Sequence, residues 1–135
     1  MDHKLHESHL IKLFTNAQGV ILWKMIKHIK KNDYVILDNT GAKYIKKSFR
    51  DWISDIEIPF SNGTTRCIST TCFAEHLRKL LRNNTIVRFE SRKCKVAAYG
   101  IKEKELIGKL SNAFPYLGLQ NKASFAECEI EEEVA

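Results

Sequence analysis

Seven bases fall between positions 78 and 95: Arg78, Lys79, Arg82, Arg88, Arg92, Lys93 and Lys95, with Glu90 the one acid among them. His76 stands two residues before the first. Guanidinium and ammonium groups at this density do one kind of chemistry well, which is charge-assisted hydrogen bonding to phosphate oxygens. Such contacts position a partner without breaking a bond. The plainer alternative for Arg78, Lys79 and Arg82 is a solvated helix face. The neighbouring bases Arg88, Arg92, Lys93 and Lys95 favour a patch, because charges on adjacent elements bind phosphate better than scattered ones.

Other reactive residue types give weaker patterns. Cys67, Cys72, His76 and Cys94 hold possible zinc donors, with Cys72 and His76 one helical turn apart, yet no Cys-x-x-Cys pair is present. Small buried thiols beside Phe73 are the expectation instead. His3, His6 and His9 recur every third residue at a chain end, the pattern of a solvated helix edge. There is no Gly-x-x-x-x-Gly-Lys loop, no His-Glu-x-x-His helix and no Gly-x-Ser-x-Gly elbow, so neither an enzyme nor a bound metal or cofactor is expected.

The elements that must carry the bases are legible. Phe73, Leu77, Leu80 and Leu81 recur at i, i+4, i+7 and i+8, which predicts one amphipathic helix over 70–82. That spacing turns Arg78, Lys79 and Arg82 toward solvent. Strands are predicted at 85–89 and 95–99, joined by the polar turn 91–94. A helix followed by a basic hairpin is the working end of a winged helix, which lays its last helix in the DNA major groove.

Upstream, 1–15 reads as a short helix with Leu5, Leu10 (or Ile11) and Phe14 inward. Thr15-Asn16 offers an N-cap for a helix over 17–31. Leu22, Met25, Ile26 and Ile29 line one face of it, and Lys24, Lys27, Lys30 and Lys31 the other. Short strands at 34–37 and 42–45 flank the turn Asp38-Asn39-Thr40-Gly41. Ser48 and Asp51 form a capping arrangement for a helix to about 55, burying Phe49, Trp52, Ile53 and Ile56. An exposed loop is predicted at 59–67, and a last helix at 102–110 with Gly108 near its end. Trp23 and Trp52 read as core anchors rather than a stacking platform for single-stranded bases.

The chain has 135 residues, 44% hydrophobic and 28% charged, as for one folded domain. No run approaches a membrane span, and the N-terminus lacks the apolar core of a secretory signal. The four cysteines lack the spacing of a disulfide framework, which points to free thiols inside the cell. The net charge is +6, and five acids crowd 127–133, so the rest carries about +11. A basic body with an acidic, loose end suits a polyanion binder whose tail competes for its own basic surface.

These motifs resemble the DNA-binding domain of the heat-shock transcription factors over roughly 19–99. Leu22-Trp23-Lys24-Met25-Ile26 is similar to that family's Leu-Trp-x-Met-aliphatic helix. Gly41-x-x-Tyr44-Ile45 is similar to its Gly-x-x-Phe-aliphatic hairpin, and Trp52 stands where its second helix buries a Phe. Phe73-Ala74-Glu75-His76-Leu77 falls on its recognition pattern Phe-Val-Arg-Gln-Leu. Departures accompany the likeness. Glu75 replaces the Arg that reads guanine, Arg78-Lys79-Leu80-Leu81-Arg82 replaces Asn-x-Tyr-Gly-Phe, and no heptad segment for trimerisation follows.

The resulting expectation is an α+β winged helix. It has a three-helix helix-turn-helix core, a small antiparallel sheet and wing, and extra helices at both ends. The chain divides into a helical extension (1–15), the winged-helix domain (16–110) and an irregular acidic end (111–135). Double-stranded DNA is the expected partner, in transcription or chromatin regulation in the nucleus. His76, Arg78, Lys79 and Arg82 would lie in the major groove, with Arg88, Arg92, Lys93 and Lys95 on the backbone. The alternative is a protein-interaction adaptor on the same fold. Oligomeric state is left open.

Overall fold

The structure, a computed structural model, describes residues 4–90 and 97–131. Its centre is α2 (Asn16–Lys30), capped by the Thr15 hydroxyl, which accepts from Gln18 N–H at 3.2 Å. Sequence periodicity assigns one apolar face to this helix, but its surroundings bury far more. Val20, Ile21, Leu22, Trp23, Met25, Ile26 and Ile29 are all inside. A helix apolar on most sides must be covered on most sides. Here α1 (Glu7–Leu13), a sheet, α4 (Thr70–Arg82) and the C-terminal segment do so. Gly19 permits the approach of α1, since a Cβ there would lie 2.6 Å from the Ile11 backbone.

Four strands form one antiparallel sheet in the order β1 (Val35–Ile36), β2 (Lys43–Lys46), β6 (Ala98–Ile101), β5 (Ile86–Phe89). Ile45 pairs with Tyr99, and Ile86 with Ile101, placing these buried residues on the face toward α2. Between β2 and α4 lies α3 (Phe49–Asp55), whose N-cap Ser48 accepts from Asp51 N–H. Trp52 of α3 is fully buried.

The segment expected as a plain loop forms a second sheet, β3 (Glu57–Pro59) paired with β4 (Thr65–Cys67). Its turn is closed locally. Asn62 Oδ1 accepts from Thr64 N–H, and Gly63 takes a left-handed φ of 84°. The last strand runs over Ala98–Ile101, while the predicted turn 91–94 and positions 95 and 96 of the predicted strand lie outside the described residues; α5 (Glu103–Ala113) runs past Gly108 without a break.

The chain end is not loose as far as Glu131. Leu117, Leu119, Phe125, Cys128 and Ile130 are buried, and Leu5 forms a parallel bridge with Ile130. Glu103 anchors this segment. Its carboxylate accepts from Lys43 Nζ at 3.0 Å, Ser124 Oγ at 2.8 Å and Phe125 N–H at 3.0 Å. In α1, His9 Nδ1 accepts from His6 N–H, which leaves Nε2–H to donate to Tyr116 Oη at 3.1 Å. Burial, and then the neighbouring His6, hold this imidazole below its usual pKa, in keeping with that neutral form. The fold is therefore mixed α+β, with five α-helices and two small antiparallel sheets among the described residues. None of those helices is long and apolar enough to cross a membrane.

Candidate nucleic-acid interface

Helix α4 is held at both ends. Ser69 Oγ accepts from Cys72 N–H at 3.2 Å, satisfying one of the free N–H groups of the first turn. At the other end Asn84 takes a left-handed φ of 67°, and Thr85 N–H returns to Leu80 O at 3.0 Å. Asn tolerates that conformation better than most residues. The chain passes straight into β5, whose start is tied to the end of β6 by Lys102 N–H donating to Thr85 O. On the inner side Phe73, Leu77 and Leu80 are buried. Phe73 meets Phe49 edge-on at 5.0 Å and lies 6.3 Å from Trp52.

The outer side carries Thr71, Glu75, Arg78, Lys79 and Arg82, all exposed. Three of the predicted bases thus share one open helix face. Glu75 sits amid them and is ion-paired to Lys79 at 3.7 Å, one turn on. His76 does not join this face. It is half-buried where α4 meets α2, with Nδ1 3.4 Å from Gln18 Nε2. Burial, and then Lys79, push its pKa down, which disfavours the cationic form that phosphate would attract.

Arg88 extends from β5. Its guanidinium pairs with Glu90 at 2.7 Å and lies 5.8 Å from the Tyr99 ring centre. Arg92, Lys93 and Lys95 lie outside the described residues, as does Cys94. Cys67 and Cys72 are exposed rather than buried beside Phe73, because both lie at the solvent side of the β4–α4 junction. Among the described cysteines Cys128 is the buried one, its thiol pushed up to about 11 chiefly by burial. Among the described residues, no group of three His, Cys, Asp or Glu side chains is placed to hold a metal ion.

The sequence pattern missed Arg66, which stacks over Phe60 at 4.8 Å on the β3–β4 hairpin just before α4. Only an exposed aromatic and a base flanking Asn-Gly hinted at it. No protein-family model matches the chain, and no solved structure matches it.

Proposed function

We propose that this chain binds double-stranded DNA through the outer face of α4, as a winged-helix protein of transcription or chromatin regulation in the nucleus. The observation carrying this reading is that Arg78, Lys79 and Arg82 share one solvent-facing side of a helix whose other side is locked into the core. The chain order supports the fold assignment: α2, β2, α3, α4, β5 and β6, with β6 lying between β2 and β5. In that arrangement α4 enters the major groove, and Arg88 with the bases of 92–95 follows the backbone. Recognition is the whole mechanism. Lys79 must exchange its Glu75 partner for phosphate, which costs little because an exposed i,i+4 pair contributes only about 0.3–0.5 kcal/mol.

Salt dependence tests the proposal. Four described bases seated on phosphates give a slope of log K against log salt of about −4, steepening to about −6 with Arg92, Lys93 and Lys95. Absence of duplex binding at low salt, or a flat slope, overturns it.

A second reading rests on Glu75. A carboxylate at the middle of the exposed face repels phosphate unless it accepts from a cytosine amino group, so the same face would suit a protein partner. Under that reading Glu75→Gln weakens partner binding, whereas under the first it leaves duplex affinity unchanged or improved.

A further inference from the structure

A second cluster of bases lies away from the α4 face, along the polar stripe of α2. Lys24, Lys27 and Lys31 recur at i, i+3 and i+7, the spacing that stacks side chains on one side of a helix. With His28, Asp33 and Asp55 they line an open cleft of about 300 Å³. Beyond His28 and Asp33 a second cleft, of about 370 Å³, is lined in part by Lys46 and Lys47.

The two carboxylates in this region are already engaged. Asp33 Oδ2 accepts from His28 Nδ1 at 2.8 Å, and Asp55 is paired with Lys47. Lys47 lies over the Trp52 ring at 4.7 Å, and the His28 ring meets Trp52 edge-on at 5.5 Å. The floor of the clefts is therefore fixed on a fully buried indole, while both nearby acids are committed to it. Lys24, Lys27 and Lys31 have no ion pair among the described residues. Three ammonium groups thus line one concavity, where they outnumber its two carboxylates.

We infer that this α2 cleft binds a compact ligand carrying two or more phosphate groups. The concavity is at the small end of small-molecule sites, too narrow for a duplex to enter, and with Lys46 and Lys47 beside it five lysines face two carboxylates. An isolated surface ion pair contributes little, but several bases acting on one multivalent anion add together. The inference goes beyond the α4 reading and does not need it, since none of the α4 bases lines either cleft.

The test uses inorganic tripolyphosphate titrated calorimetrically into the full chain at low salt. The wild type should bind it, and Lys24→Gln/Lys27→Gln/Lys31→Gln should bind at least tenfold more weakly. Arg78→Gln/Lys79→Gln/Arg82→Gln should change the affinity less than twofold, and saturating duplex should not displace the ligand. Lys31→Gln alone, at an exposed position, should weaken binding about threefold; it decides the matter if the triple variant does not fold. The inference is overturned by any of four results: no wild-type binding, wild-type affinity in the folded α2 variant (or in Lys31→Gln when the triple is unfolded), equal loss in the α4 variant, or displacement by duplex. Loss of duplex binding alone would strike the α4 reading and leave this one standing.

Discussion

Reversing Arg78, Lys79 and Arg82 together to Glu is expected to weaken duplex binding about 1000-fold, at about 1.5 kcal/mol for each charge-assisted hydrogen bond to phosphate that disappears. The salt slope should flatten by about three, one for each phosphate left without its base. The fold should survive, because all three side chains are exposed and only Lys79 has an ion-pair partner among the described residues. Surface changes of this kind usually move stability by about 0.5 kcal/mol or less each. Fluorescence anisotropy with a labelled duplex, alongside thermal unfolding, separates the two effects. Unchanged affinity in a folded variant would move the function to another surface and favour the protein-adaptor reading.

Phe73→Ala attacks the same face from behind. The ring is fully buried, lies edge-on to Phe49 and sits beside Trp52, so it holds α4 against α3. Truncating a buried Phe costs about 3–5 kcal/mol, combining the forfeited burial with the cavity left behind. Domains of this size are stable by only about 5–15 kcal/mol, so the variant should be close to unfolding. Phe73→Leu keeps more of the volume and should retain most of the stability. Denaturant midpoints measure both. If Phe73→Ala costs less than about 1 kcal/mol, the helix is not seated on α3 as described.

What could be read from sequence follows the strength of each local signal. The amphipathic pattern of α4 spans more than three turns and has a Ser cap, so its limits and its basic side are legible in the residues alone. Thr15 and Ser48 mark two more helix starts for the same reason. The β3–β4 hairpin is not legible, because strands of three residues containing Pro59 show no alternation to count. The docking of the C-terminal segment is hidden too. Leu117, Leu119, Phe125, Cys128 and Ile130 obey neither helical nor strand spacing, and short 3-10 turns with one β-bridge aim them inward.

Side-chain environment is the hardest to foresee at the site itself. His76 shares a helix with the exposed bases, but 3.6-residue geometry puts it at the α2 edge, against Gln18. The α2 cleft is invisible for a related reason. Its lysines are legible as a polar stripe, but the capture of Asp33 by His28 and of Asp55 by Lys47 depends on how separate elements pack.

Lysine footprinting of the duplex complex examines the α4 face most directly. The chain is acetylated with and without saturating duplex, and modification is read residue by residue. Lys79, half-exposed on α4, should become several-fold slower to react, while Lys104 and Lys109 on the exposed side of α5 keep their free rates. Equal reactivity of Lys79 in the free and saturated protein would contradict the assignment of that face to DNA.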